Sequence, residues 1–189
     1  MKYLDRYLRD RRIGQAARWV PLGARVLDVG CHDGALFRAL GWSLGAGLGL
    51  DAALVGPLSG ERYELVPGSF PQDVPADAGE FDAITMAAVF EHVPLDEQAA
   101  VVDACWRYLT PGGVVILTVP APLVDPILDV LSAVRVLDGM EHHQHFGFRP
   151  ADLGPLFTGR GFELTRRSVF QLGLNNLFVF TKPADASLG

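Results

Sequence analysis

Three stretches of the chain gather acidic, small and histidine residues at spacings suited to ligand binding. They are Asp28-Val29-Gly30-Cys31-His32-Asp33-Gly34, the pair Leu50-Asp51, and Ala87 to His92. Each follows an apolar run that reads as a strand, and open α/β sheets bind ligands outside the carboxyl ends of their central strands. A glycine just after a strand lets the backbone turn sharply, and the helix beyond it offers free N–H groups to an anion. Dinucleotide binding needs glycine at the first, third and sixth positions of such a loop. Here the third is His32 and the sixth Ala35, which removes the close backbone approach a pyrophosphate requires. About twenty residues further on, Asp51 ends the second strand, where a carboxylate accepts both hydroxyls of a ribose. Capping of a helix that would begin at Ala52-Ala53-Leu54 is the competing role for Asp51.

The elements that must position these residues follow from apolar periodicity and breakers. Residues 3–19 read as an amphipathic helix, stopped by Pro21 and Gly23. Strands are expected over 25–29, 47–50, 63–66, 81–86 and 114–119, and helices over 35–40, 95–109, 123–137 and 151–158. In the helix over 95–109, Leu95, Ala99, Val102, Cys105, Trp106 and Leu109 share one face, Asp96 and Glu97 suit the first turn, and Gly112-Gly113 is the expected stop. Two last strands, 162–170 and 176–181, suit an antiparallel pair. Alternating strands and helices predict an α/β, Rossmann-like, doubly wound and mostly parallel sheet.

At 189 residues the chain is expected to form a single domain, 1–189, with an N-terminal helix in 1–20 and a loose tail over 184–189. Apolar residues make up 49% and charged residues 20%, an ordinary globular balance. The net charge of −6 argues against nucleic acid as a partner. The basic run Lys2, Arg6, Arg9, Arg11, Arg12, Arg18 reads as a solvated helix face. Cys31 and Cys105 cannot make a disulfide framework or a metal site alone, and read as reduced buried thiols. With no leader-like segment and no apolar run long enough for a bilayer, the expectation is a cytoplasmic chain without membrane insertion, monomeric or homodimeric.

A ribose partner without a pyrophosphate cradle suits S-adenosylmethionine, and the motifs make the likeness specific. Asp28 to Gly34 is similar to the glycine motif of the class I S-adenosylmethionine-dependent methyltransferases, and Leu48-Gly49-Leu50-Asp51 to their second-strand motif. Phe81-Asp82-Ala83-Ile84 followed by Val89-Phe90-Glu91-His92-Val93 resembles the fourth strand of their "type 11" branch. Tyr108-Leu109-Thr110-Pro111-Gly112-Gly113 resembles the turn before their fifth strand, and Gly161-Phe162-Glu163 the start of their sixth. The resemblance implies a seven-stranded sheet with S-adenosylmethionine as cofactor across its switch point. It places Asp28, Gly30, Cys31 and Gly34 around the methionine portion and Asp51 at the ribose. Ala52, Ser69 and Phe70 fall near the adenine, and Ala87 and Ala88 near the sulfur. In two places the chain departs from the family: His32 replaces the motif's middle glycine, and Ser69 stands where many relatives carry an acidic residue. The first is expected to crowd the loop, the second to leave adenine recognition weaker or carried by the backbone.

Methyl transfer from a sulfonium is an in-line displacement, and a base is required only when the acceptor loses a proton. The candidates for catalysis are His92, whose competing role is structural at the entry to a helix, and His145 in His145-Phe146-Gly147-Phe148. The second segment resembles one that borders the acceptor pocket in relatives, with loop packing as its competing role. Residues 120–150 are expected to form an acceptor-side lid. The cluster Glu141-His142-His143-Gln144-His145 lacks ligand spacing, so no metal is expected. The expected activity is methyl transfer to a small-molecule acceptor. The alternatives are a non-catalytic S-adenosylmethionine-binding module and a nicotinamide-dependent oxidoreductase, the latter disfavoured by His32 and Ala35.

Overall fold

The computed structural model describes residues 2–121 and 149–185, with side chains from residue 6 onward. Its strands are β1 (Arg25–Val29), β2 (Ala46–Asp51), β3 (Leu58–Ser59), β4 (Tyr63–Pro67), β5 (Phe81–Ala87), β6 (Leu109–Pro120), β7 (Glu163–Phe170) and β8 (Asn175–Thr181). They form one sheet in the order β3-β4-β2-β1-β5-β6-β8-β7. β4, β2, β1, β5 and β6 run parallel, whereas β8 lies antiparallel between β6 and β7. The expected α/β sheet is therefore present, with one strand beyond the seven anticipated. The addition is β3, two residues paired antiparallel to Leu65 and Glu64 at the sheet edge, too short to carry a readable period.

The described helices are α1 (Lys2–Ala17), α2 (Ala35–Leu40), α3 (Gln98–Tyr108) and α4 (Pro150–Arg160). Helices α1 and α2 cover one face, closing Phe37, Leu40, Val26, Ile116 and Leu177 into a core. Helices α3 and α4 cover the other, where Phe90, Phe157, Phe162, Phe178 and Phe180 pack together. Phe157 and Phe180 stack there with centroids 4.3 Å apart. The inner strands β1, β5 and β6 are buried on both faces, which is why they read as continuous apolar runs. None of the described helices is long and apolar enough to cross a membrane.

Helix α3 departs from the sequence expectation at both ends. It begins at Gln98, so Asp96 and Glu97 precede it, and the Pro94 carbonyl accepts the Glu97 and Gln98 N–H groups. It ends at Tyr108 rather than at Gly112-Gly113, because the chain passes directly into β6. The ammonium of buried Lys182 donates to the carbonyls of Trp106 and Leu109, at 2.9 and 2.7 Å, and satisfies that terminus. Gly112 supplies a left-handed turn inside the irregular start of β6 instead. The helix expected over 123–137 lies outside the described residues.

Register fixes the site. Val29 of β1 is level with Leu50 of β2 and Met86 of β5, and Ala87 is level with Thr118 of β6. The strands continuing outward from β1 lie on opposite sides of it, which opens a crevice between the ends of β1 and β5.

Candidate active site

The loop after β1 is shaped by backbone, not by side chains. Gly30 sits at φ 72° and donates its N–H to the Leu50 carbonyl at 2.8 Å. A Cβ at Gly30 would lie 2.5 Å from Cγ2 of Val89, so both its conformation and the close approach of the 88–89 loop require glycine. Gly34, at φ 75°, begins α2. Between them His32 also adopts a left-handed φ, 48°, with its side chain exposed. The expected crowding by His32 is thus avoided: the backbone takes the shape a glycine would, and the imidazole turns outward. Holding a non-glycine residue there costs about 1 kcal/mol. His32→Gly is therefore expected to raise the ligand-free melting temperature by about 2–4 °C, measurable by thermal denaturation.

Asp51 fastens this loop to β2. Its Oδ2 accepts the His32 N–H and its Oδ1 the Ala53 N–H, both at 2.8 Å. No helix lies between Asp51 and β3, so Asp51 caps a turn instead of a helix, and a carboxylate retains further lone pairs after accepting both amides. Asp51 is half-buried and lines a cavity of about 220 Å³ together with Gly30, Ala52, Ser69, Phe70, Val89 and His92. Ser69 is exposed, and its N–H donates to Asp73 Oδ2 at 2.8 Å, an interaction that shapes the loop and that sequence reasoning missed. Phe70 packs against Tyr108 with ring centroids 6.1 Å apart. His92 is exposed on the wall of this same cavity. His145 lies outside the described residues.

On the other side of Gly30 is a smaller cavity, about 70 Å³, lined by Asp28, Cys31, Thr85, Ala87 and the α1 residues Arg9 and Arg12. Asp28 is buried and accepts the Thr85 hydroxyl at 2.7 Å. Burial pushes its carboxyl up to about 7 against the opposing effect of that hydrogen bond, and the nearby Asp51 charge adds to the rise. Cys31 is packed against β2: a Cβ on Gly49 would sit 2.6 Å from its Sγ. Burial, then Asp28 and Asp51, push this thiol up to about 12, so it fills space and stays protonated. Ala88 follows β5 at φ 59° and donates its N–H to the Thr118 carbonyl at 2.8 Å. Two non-glycine residues in left-handed conformation, His32 and Ala88, thus flank the crevice.

Arg9 and Arg12 correct the reading of the α1 basic residues as a solvated face. Their spacing of three places both on the side of the helix that meets the sheet ends, and both are half-buried. Arg9 also lies 3.7 Å from Asp33. Thr85 carried a readable signal, a hydroxyl inside the apolar, buried run Ala83 to Met86 of β5. Glu91, in the short 3₁₀ turn Phe90–His92, lay in a stretch the sequence singled out but was given no role of its own there. Burial pushes its carboxyl up to about 7; its own main-chain N–H and the Arg12 charge oppose that rise. Among the described residues no cluster of three or more His, Cys, Asp or Glu has the geometry of a metal site.

A doubly wound sheet whose switch point offers a ribose-suited carboxylate, a glycine turn and two cavities meeting at that turn defines a nucleoside-binding α/β protein. The chain belongs to the methyltransferase-domain family, whose model matches residues 2–167, within the class I S-adenosylmethionine-dependent methyltransferases. It is 32% identical over 169 residues to the ubiquinone biosynthesis O-methyltransferase of Psychrobacter arcticus, covering 82% of this chain and 64% of that protein. It is 34% identical over 166 residues to the protein of the same name from Xylella fastidiosa, covering 81% and 67%. The chain thus spans 64% of the length of the Psychrobacter relative. Among solved structures, the Haloferax volcanii complex of the Trm112 methyltransferase activator with a methyltransferase matches with TM-score 0.71 at 18% identity, covering 95% of this chain and 93% of that one. The magnesium protoporphyrin IX methyltransferase of Synechocystis, solved with bound S-adenosylhomocysteine, matches with TM-score 0.65 at 16% identity, covering 92% and 83%.

Proposed function

We propose that the protein transfers a methyl group from S-adenosylmethionine to an oxygen of a small-molecule acceptor. The observation that carries the reading is the pair of cavities joined at Gly30, one bounded by Asp51 and the other by Asp28. The two cavities fit the two halves of the cofactor, nucleoside in the larger and amino acid in the smaller. Asp51 holds the ribose hydroxyls, with Ala52 and Phe70 beside the adenine. Asp28, through its carboxyl, and the α1 guanidinium groups of Arg9 and Arg12 face the charged ends of the amino acid. Ala87 and Ala88 border the gap between the halves, where small side chains leave room for an in-line approach. When bound, the cofactor supplies a sulfonium-activated methyl group. The relatives named as O-methyltransferases support oxygen as the accepting atom.

Calorimetric titration tests the reading. S-adenosylhomocysteine is expected to bind one per chain, and NADH at the same concentration to give no heat of binding. Saturable NADH binding without S-adenosylhomocysteine binding would replace the methyltransferase with the nicotinamide alternative.

A further inference from the structure

Under helix α1, at the carboxyl ends of β5 and β6 and the start of β8, lies a set of buried polar atoms that the cofactor reading leaves unused. Glu91 is 2% exposed, and its Oε2 has no hydrogen-bond partner. Its own main-chain N–H and the Arg12 charge both favour the ionised form of this carboxyl against its burial. The hydroxyl of Thr118, fully buried in β6, is also unpartnered. So is Oδ1 of buried Asn175 at the start of β8. The direction of Asn175 is fixed by a relay: its Nδ2 donates to Gln171 Oε1 at 2.5 Å, and Gln171 Nε2 donates to the Leu8 carbonyl of α1 at 3.1 Å. A carbonyl can only accept, so the relay runs one way and leaves Asn175 with a bare acceptor.

Register brings these atoms to one end of one face. Thr118 pairs with Leu177, and Asn175 is two residues further along β8, hence a diagonal neighbour on the same side of the sheet. The Thr118 carbonyl holds Ala88, three residues before Glu91. The charge acting on Glu91 is Arg12 of α1, the helix to which the relay ties the hairpin. Buried polar groups are normally satisfied, and each one left bare costs on the order of 1–3 kcal/mol. A cluster retained at that cost, made of two acceptors and a hydroxyl, wants a ligand that donates hydrogen bonds. A neutral hydroxyl, the group on which an oxygen-directed methyl transfer acts, is such a donor.

We propose that Glu91 Oε2 accepts the hydroxyl proton of the acceptor and takes it during transfer, while the Thr118 hydroxyl donates to the same acceptor oxygen. The inference rests on the methyltransferase reading above. The acceptor oxygen forms a bond to the methyl carbon as its proton passes to Glu91. The carbon–sulfur bond breaks with its electron pair left on sulfur, and the proton then returns to solvent. A buried carboxyl with a bare oxygen, raised towards neutrality by burial, is suited to hold that proton.

The test uses S-adenosylhomocysteine-saturated protein, titrated by ligand-observed NMR with phenol and with anisole, which has the same ring and no donor. Phenol is expected to bind and anisole not. Glu91→Gln and Thr118→Val are each expected to leave S-adenosylhomocysteine affinity within twofold and to weaken phenol at least fivefold. Thr118→Val conserves shape and removes only the bare hydroxyl, so it keeps the test decisive if Glu91→Gln folds poorly. Equal binding of phenol and anisole, or unchanged phenol affinity in both variants, overturns the proposal alone. Failure of the unmutated protein to bind S-adenosylhomocysteine overturns both this inference and the methyltransferase reading.

Discussion

Asp51→Ala is expected to weaken S-adenosylhomocysteine binding by on the order of 200-fold, about 3 kcal/mol. Two contributions add. The ribose hydroxyls lose a charged acceptor, worth roughly 1.5–3 kcal/mol for each bond. The loop after β1 also loses its fastening, because His32 N–H donates to Asp51 Oδ2 and Ala53 N–H to Oδ1. The two separate experimentally. Loss of the fastening lowers the melting temperature of the ligand-free protein, whereas loss of the ribose contact does not. Asp51→Asn keeps one acceptor oxygen for an amide and is expected to recover part of the stability while binding remains weak. Calorimetry beside thermal denaturation reads both, and wild-type affinity in Asp51→Ala would remove Asp51 from the cofactor site.

How much of this site was legible in the sequence depended on the range of the interaction concerned. Asp51 could be found because it ends a strand at a set distance from a glycine loop, and strand register then carries it to the crevice. Gly30 was legible for the same reason, although the contact that makes glycine obligatory, with Val89, joins residues from different loops. The body of α3 followed from its periodicity, but not its end, which Lys182 sets from the far end of the chain. Arg9 and Arg12 were misread because a basic residue on a helix carries no mark of what it faces. Thr118 and Asn175 are each unremarkable in their own segments, and Glu91 stood out only as part of a motif. Only the pairing of β6 with β5 and β8, and the laying of α1 across them, brings unpartnered atoms from three elements under one helix. His32 was the reverse case: sequence flagged it as a misfit, and the structure absorbs it through a left-handed backbone.

At pH 8, Asp28→Asn is expected to stabilise the ligand-free protein by about 3–4 kcal/mol, with an advantage that vanishes near pH 4. The buried carboxyl is pushed from 3.8 up to about 7, burial being the largest cause. Between those pH values the folded chain keeps a proton that the unfolded chain has released. Folding stability is therefore fully present below about 4 and is lost as pH rises through about 7, by about 1.4 kcal/mol for each pH unit. Asparagine has no charge to desolvate, and its carbonyl still accepts the Thr85 hydroxyl as Asp28 Oδ1 does. Glu91 carries a slope of the same sign, since burial also raises it to about 7, so the difference between wild type and variant isolates Asp28. Urea unfolding at pH 4.5 and pH 8 measures that difference; an equal effect at both would rule out a buried charge as its source. Such a cost is worth keeping at a site that meets a cation. An amino-acid ammonium in the smaller cavity favours the ionised carboxylate. Wild-type affinity for S-adenosylhomocysteine should accordingly rise as pH increases from 5 towards 7, while Asp28→Asn binds more weakly and with a flatter profile.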